Sequence, residues 1–265
     1  MRIALCFSGQ PRYVERGAKY IKSCLLDYDN MDVFGHCWWD KQDVGKDVYQ
    51  SRGSTIDEKT PDNMDELINK IYNPVSMKIE KQIEHFEMDV ELRKKRAFLI
   101  KNISDMNKCV FAWHSQYYSI HQSNLLKQNY EKENGFLYDI VIRVRFDLAM
   151  KSTLKLSLLK SGWVYSCSWM GMLSDRNSGL HQKLIPNSYI NYGVSDSFFF
   201  GDSRTMDVVT DMGNHIDSIL NTTDVPYTPE FALNKYLDEN DIKCNYLLPV
   251  RYVLMKYDHQ VGVRN

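Results

Sequence analysis

The segment YDIVIRVRFDL, from Tyr138 to Leu148, decides the fold that this sequence predicts. Its first half is an apolar, largely β-branched run, which is typical of a buried strand. Three charged residues, Arg143, Arg145 and Asp147, then follow at alternate positions. Because side chains alternate between the two faces of a strand, this spacing predicts that all three point the same way.

Two interpretations of these charged residues are open. Buried charges are costly unless they pair with each other or face a cleft. Arg143, Arg145 and Asp147 therefore either contain an internal ion pair that closes the strand end, or they line a polar site. We favour the polar site, because ligands of open α/β proteins bind beyond the carboxyl ends of the strands.

The N-terminal segment predicts the first half of a βαβ unit. A strand from Arg2 to Phe7 is followed by the turn Ser8-Gly9-Gln10-Pro11-Arg12, and a helix is expected from about Tyr13 to Leu26. The turn either brings backbone N–H groups and Arg12 to a nucleotide, or is only a tight connection in which Gly9 takes an unusual φ.

A second strand, from Asp32 to Cys37, ends at two adjacent tryptophans, Trp38 and Trp39. Such side chains either pack on a base or sugar, or form part of the core. The remaining periodic segments predict helices beginning at Pro61, Asp105, Ser203 and Pro229, and strands at 75–79, 162–165 and 242–248, with 250–254 extending the last. A long loop is expected between Trp169 and Tyr192.

Two carboxylates in the second half are candidate site residues. Asp196 enters the aromatic segment SFFFG, where it either caps a loop or belongs to a site. Glu230 lies in the first turn of a helix, where it either complements the helix dipole or points into a cleft.

Composition excludes several classes of protein. The net charge of −1 and the lack of a basic arm argue against nucleic-acid binding, and no glycine-rich phosphate loop supports a kinase or dehydrogenase. Six scattered cysteines favour reduced thiols over a disulfide framework or zinc site. With no signal-peptide pattern and no apolar run long enough for a transmembrane segment, we expect a soluble, cytoplasmic protein forming a single compact domain.

The order of these segments resembles that of small GT-A-like glycosyltransferases of surface-glycan biosynthesis, which occur in bacterial capsule loci and in some large viruses. The resemblance is carried by ALCFSGQPR (4–12), DVFGHCWWD (32–40), WHSQYYSIHQSN (113–124) leading into YDIVIRVRFD (138–147), and DSFFFG (196–201) followed by TPEFALNKYL (228–237).

This resemblance implies an α/β, GT-A-like fold with a Rossmann-type mixed sheet flanked by helices. Residues 1–148 would bind a nucleotide sugar, with a UDP-sugar as the expected donor, and residues 149–265 would bind a glycan acceptor. Transfer to the acceptor hydroxyl would be inverting, with Asp196 or Glu230 as the catalytic base. The implied donor-binding residues are Ser8, Gly9, Gln10, Arg12, His36, Trp38, Arg143, Arg145 and Asp147.

The resemblance also raises the question of a metal ion. GT-A enzymes carry an Asp-x-Asp signature, whereas this chain has Arg145-Phe146-Asp147 in that place. Either Asp147 holds Mn²⁺ or Mg²⁺ with the help of His259, or Arg143 and Arg145 neutralise the diphosphate without a metal. Two other functions are open: a non-catalytic glycan-binding module, and a sugar-phosphate nucleotidyltransferase.

Overall fold

The computed structural model describes residues 1–25, 30–48, 58–83, 103–154, 156, 160–168, 194–222, 229–246 and 252–255. The strands are β1 (Ile3–Gly9), β2 (Met31–Trp38), β3 (Ser76–Glu80), β4 (Ile140–Val144), β5 (Leu148–Met150), β6 (Trp163–Ser168), β7 (Val194–Gly201), β8 (Lys243–Tyr246) and β9 (Tyr252–Leu254). The α-helices are α1 (Val14–Cys24), α2 (Met64–Tyr72), α3 (Ile103–Asn134), α4 (Ser203–Thr222) and α5 (Pro229–Glu239).

Seven of these strands form one mixed sheet in the order β3-β2-β1-β4-β7-β6-β8. Strands β1 to β4 are parallel, β7 is antiparallel to both of its neighbours, and β6 pairs in parallel with β8. The α/β class with a mixed sheet is therefore confirmed. The chain runs outward from β1 in both directions, so the carboxyl ends of β1 and β4 flank a topological switch point, where open α/β sheets bind ligands.

Alternating apolar residues of β1 and β4 send side chains into two cores, one on each face of the sheet. On one face Leu5, Phe7 and Ile142 pack with α1 and α2. On the other face Cys6 and Val141 pack with α3, α4 and α5. Both faces are covered, which explains why β4 reads as a continuous apolar run rather than an alternating one.

A buried polar cluster joins α3 to α4. The ammonium of Lys127, which is fully buried, lies 2.9 Å from Glu131 Oε2 and 2.6 Å from Asp207 Oδ1, and it also donates to the hydroxyl of Ser203. A second contact between the same helices involves Gly213 of α4, which passes so near the Tyr117 carbonyl that an added Cβ would lie 2.8 Å from its oxygen. These contacts fix α3 across the sheet.

Several sequence predictions need correction. Strand β4 ends at Val144, so strand alternation does not extend to Asp147, and the expectation that three charged residues share one strand face is wrong. Helix α3 begins before Asp105, α2 begins at Met64 rather than Pro61, and β9 pairs with β5 in a separate two-stranded sheet rather than extending β8.

Other predictions fall on residues outside the described ranges, among them the loop 169–192 and the tail that contains His259. The cysteines that the structure describes, Cys6, Cys24, Cys37 and Cys244, are free thiols. None of the described helices is both long and apolar enough to cross a membrane.

Candidate functional site

A cavity of about 400 Å³ opens at the carboxyl ends of β1, β2 and β4, beneath the N-terminal part of α3. The strands and their following turns contribute Ser8, Gln10, Arg12, Trp38, Arg143 and Arg145. Helix α3 contributes Phe111, Ala112, Ser115 and Gln116, and Gln82 follows β3. The lining thus combines guanidinium groups, amides and aromatic rings.

The turn after β1 forms one wall of the cavity. Gly9 has a φ of 108°, a left-handed conformation that disfavours any residue with a Cβ. The N–H of Arg12 donates to the Gln10 carbonyl at 2.8 Å, and the Arg12 guanidinium donates to the Gln10 side-chain oxygen. The small residues therefore let the chain turn sharply, which places Gln10 and Arg12 on the cavity.

Arg143 lies on the inner wall with 1% of its surface exposed. The register of β4 against β1 pairs it with Cys6, so its side chain lies on the α3 face of the sheet. Its Nε donates to Ser8 Oγ at 3.0 Å, its Nη1 donates to the carbonyl of Asp196, and its guanidinium lies 5.6 Å from the centre of the Phe199 ring. These contacts hold a positive charge at the base of the cavity.

Arg145 and Asp147 form a two-bond ion pair. Arg145 Nε and Nη2 each lie 2.7 Å from a different oxygen of the Asp147 carboxylate. Burial opposes ionisation of Asp147, but the positive charges of Arg145 and Arg12 outweigh it and lower the pKa of Asp147 below its ordinary 3.8. Asp147 is 1% exposed and does not line the cavity, so it fixes the arginine that does.

Aromatic side chains form a further part of the cavity wall. Trp38 is 4% exposed, and its indole N–H donates to the Ser115 carbonyl at 3.2 Å. The Tyr118 ring stacks on Trp38, with 5.2 Å between the ring centres. Phe111 completes the wall from α3. A lining that combines aromatic rings with guanidinium groups suits a ligand that has one flat apolar part and one anionic part.

His36 lies behind this wall rather than on it. Its side chain is fully buried, with Nδ1 2.8 Å from Ser119 Oγ and Nε2 2.9 Å from Glu80 Oε1. Ser119 Oγ in turn accepts the backbone N–H of Gly9 at 2.7 Å. His36 therefore does not line the cavity, and it contacts the turn after β1 through Ser119.

The pKa values of His36 and Glu80 decide which of the two groups is charged. Burial lowers the pKa of His36 below its ordinary 6.5, with Glu80 opposing the shift. Burial would raise the pKa of Glu80, but hydrogen bonds from His36, Lys78 and Tyr118 outweigh it, so the pKa is lowered. Near neutral pH the ring is therefore neutral and the carboxylate is ionised. Because a carboxylate only accepts, His36 carries its hydrogen on Nε2.

The two predicted catalytic carboxylates lie on β7 and α5. Asp196, the third residue of β7, receives hydrogen bonds from Gln116 Nε2 at 2.7 Å and from Ser197 Oγ at 3.1 Å. Glu230 lies in the first turn of α5. Burial, together with the charges of Asp196 and Glu230, raises the pKa of the intervening Tyr117 well above its ordinary value.

The structure thus brings together most of the residues that the sequence predicted. Six of the predicted donor-binding residues line the cavity: Ser8, Gln10, Arg12, Trp38, Arg143 and Arg145. Gly9, His36 and Asp147 support that lining from behind. Asp196 is joined to the lining through Gln116. Glu230 lies in the first turn of α5, and His259 lies outside the described residues.

Residues of α3 and β3 that sequence reasoning missed complete the site. Phe111, Ser115 and Ser119 recur at every fourth position, which places them on one helix face, and the serines on that face were a usable signal. Glu80 was missed because it begins a densely charged segment, 80–101, whose composition predicts a solvent-exposed surface.

The described residues do not fit a divalent metal ion at Asp147. Both of its oxygens are bound by Arg145, and no group of three or more His, Cys, Asp or Glu side chains suited to a metal occurs in the part of the chain that the structure describes. The predicted second ligand, His259, lies outside those residues. With His259 outside the described residues, a role for Mn²⁺ or Mg²⁺ stays a prediction.

No protein-family model matches this chain, and comparison with curated protein sequences finds no significant relative.

Proposed function

We propose that this protein is a glycosyltransferase that moves a sugar from a nucleotide-sugar donor, with a UDP-sugar as the expected donor, to a hydroxyl group of a glycan acceptor. One observation carries the proposal: Arg12, Arg143 and Arg145 converge on a single cavity at the switch point of the sheet, whose lining also includes the aromatic rings of Trp38 and Phe111. A nucleoside diphosphate has a flat base and an anionic diphosphate, which match these two kinds of side chain.

In this proposal the arginines act on the leaving group. As the bond from the anomeric carbon to the diphosphate oxygen breaks, its electron pair leaves with the nucleoside diphosphate. Guanidinium groups already fixed by Ser8 and Asp147 stabilise the growing negative charge without having to reorient. Arg143 is held at the base of the cavity and Arg145 at its edge, so the diphosphate would lie between them.

A carboxylate completes the chemistry. The acceptor hydroxyl oxygen bonds to the anomeric carbon, and its proton passes to a carboxylate base in an inverting transfer. Asp196 is our preferred base, because Gln116, a residue of the cavity lining, orients its carboxylate. Glu230, in the first turn of α5, is the alternative base or a residue that orients the acceptor.

The test is release of nucleoside diphosphate from a panel of UDP-, GDP-, dTDP- and CDP-linked sugars, with and without oligosaccharide acceptors. We expect one donor to give slow release alone and faster release with an acceptor. Parallel reactions with Mn²⁺ and with excess chelator test the metal prediction. Pyrophosphate release from a nucleoside triphosphate and a sugar phosphate would instead identify a nucleotidyltransferase. Glycan binding without any turnover would identify a binding module.

A further inference from the structure

The turn after β1 is held from behind by a chain of three side chains on three different elements. Glu80 ends β3, His36 lies on β2, and Ser119 lies on α3. The successive distances are 2.9 Å from Glu80 Oε1 to His36 Nε2, 2.8 Å from His36 Nδ1 to Ser119 Oγ, and 2.7 Å from Ser119 Oγ to the Gly9 backbone nitrogen.

The direction of each hydrogen bond follows from the ends of the chain. Gly9 N–H only donates, so Ser119 Oγ accepts from it and its own hydrogen is directed elsewhere. His36 gives its Nε2 hydrogen to the Glu80 carboxylate, which leaves Nδ1, 2.8 Å away, as an acceptor for the Ser119 hydroxyl. The backbone carbonyl of His36, at 3.2 Å, is a second and more distant acceptor for the same hydroxyl, so both contacts tie Ser119 to His36. One consistent pattern therefore runs from Gly9 to Ser119 to His36 and from His36 to Glu80. If the imidazole hydrogen were on Nδ1, Nε2 would face the carboxylate with a lone pair.

We infer that Ser119, oriented by His36 and Glu80, is a positioning residue for the donor site. It holds the Gly9 N–H and so fixes the turn that carries Ser8 and Gln10 into the cavity. This inference rests on the proposed function, because it assigns a role in donor binding.

Burial indicates why the arrangement suits positioning rather than direct chemistry. Ser119 and His36 are both fully buried, so neither can touch a substrate despite a Ser–His–Glu arrangement typical of nucleophilic catalysis. Gly9 lacks a side chain and has a left-handed φ, so its backbone conformation is a weak constraint by itself. A hydrogen bond from outside the turn supplies the missing constraint.

Glu80 is the part of the chain that reaches the surface, with its side chain 28% exposed. It also accepts from the Tyr118 hydroxyl at 3.0 Å and pairs with Lys78 at 2.9 Å. Tyr118 stacks on Trp38, so the same carboxylate supports both the aromatic wall and the turn after β1. The two sides of the proposed donor site therefore share one anchor.

The experiment compares Ser119→Ala with Ser123→Ala. Ser123 is an equally buried serine one turn further along α3, so its replacement removes a matched hydroxyl away from Gly9. Two quantities are measured in each variant: amide hydrogen exchange at Gly9 and the dissociation constant of UDP by calorimetry. Glu80→Ala and Glu80→Gln form a second pair, in which the glutamine oxygen can still accept from His36.

In Ser119→Ala we expect the Gly9 amide to exchange at least about tenfold faster and UDP to bind roughly two- to tenfold more weakly, the effect of one lost hydrogen bond. Ser123→Ala should match the parent in both quantities. Glu80→Ala should repeat the Ser119→Ala result in weaker form, and Glu80→Gln should restore the parent values.

Three results would overturn the inference. Parent-like Gly9 exchange in Ser119→Ala would show that the hydroxyl does not hold the turn. Faster exchange with unchanged UDP affinity would show that the held turn does not serve the donor. Absence of UDP binding by the parent would reject the proposed UDP-sugar donor and this inference together, whereas the first two results leave the proposed function intact.

Discussion

Arg145 and Asp147 are two residues apart, and they form an ion pair in which two guanidinium nitrogens each lie 2.7 Å from a carboxylate oxygen. The intervening Phe146 is fully buried in the core on the opposite face of the sheet. The turn after β4 thus anchors itself in the core and presents one rigid guanidinium to the cavity. The charged residues after β4 were interpreted either as an internal ion pair or as a polar site. The structure combines both, because the ion pair with Asp147 positions Arg145 on the cavity.

The first prediction concerns Asp147→Asn. An asparagine has one oxygen to accept with, and its NH₂ group would face a guanidinium N–H. We expect a loss of about 1–3 kcal/mol in the free energy of unfolding, since a buried charged hydrogen bond is removed, together with weaker nucleotide binding. Urea denaturation and calorimetry measure the two effects. Asp62→Asn, at an exposed carboxylate before α2, is the control. Parent-like stability and affinity in Asp147→Asn would refute the role of the pair.

The second prediction is a pH dependence of stability that originates at His36. Its pKa is lowered by burial, so the unfolded chain takes up the proton first as the pH falls. The contribution of His36 to stability is complete above the unfolded pKa of about 6.5 and is lost as the pH falls towards the folded value. Asp147 contributes in a separate window, because its lowered pKa makes its contribution fade only below about 4.

Measuring the free energy of unfolding at pH 7.5, 6.0 and 5.0 covers the pH window of His36 and stays above that of Asp147. In the parent it should fall between pH 6.5 and 5, and His36→Gln should show a shallower fall over the same range. Equal slopes in the parent and His36→Gln would show that His36 does not produce the dependence.

The third prediction concerns the contact between α1 and the turn after β4. A Cβ added at Gly17 would lie 1.8 Å from the Phe146 carbonyl oxygen, so either α1 or the turn must move. Gly17→Ala should therefore cost about 1–3 kcal/mol through overpacking. It should also weaken nucleotide binding, because displacing Phe146 moves Arg145. Lys19→Ala, on the exposed side of α1, should change neither quantity, and a parent-like Gly17→Ala would show that the contact is not rigid.

Sequence reasoning predicted much of the sheet, because strand and helix periodicity depend on local pattern. The apolar starts of β1 and β4 and the small-residue turn at Gly9 indicated Arg12, Arg143 and Arg145 as candidate site residues, and the structure brings all three to one cavity. The predictions that failed concern the end of β4 and contacts between segments that are far apart in the chain. Nothing in the sequence around Val144 signals that the strand ends there.

The pairing of β5 with β9 and the contact from Glu80 to His36 join segments far apart in the chain. Local periodicity carries no information about such pairings. Asp147 was assigned to the cavity because strand alternation was extended past the true end of β4. In the structure its partner is Arg145, two residues away in the turn after β4. Strand alternation also predicts that these two residues lie on one face, but here the turn, not the strand, brings them together.

The fourth prediction distinguishes the two candidate bases. Loss of a general base typically lowers the rate about 10²- to 10⁴-fold. We expect that loss in Asp196→Asn at saturating donor and acceptor, and a smaller loss in Glu230→Gln that appears mainly in the acceptor KM. A loss of turnover confined to Glu230→Gln would reverse the assignment. Gln116→Ala should partly reproduce Asp196→Asn, because Gln116 orients the Asp196 carboxylate.

The measurement that tests the central claim most directly is calorimetric titration of UDP, GDP, dTDP and CDP into the parent, Arg12→Met and Arg204→Met. Arg12 lines the cavity, whereas Arg204 is an exposed arginine on α4 and serves as the control. We predict that the parent and Arg204→Met bind at least one of these nucleotides with equal affinity and that Arg12→Met binds it about tenfold or more weakly, as expected when a charged hydrogen bond to phosphate is lost. Equal affinity in all three proteins, or no binding by the parent, would contradict a nucleotide-sugar site in this cavity.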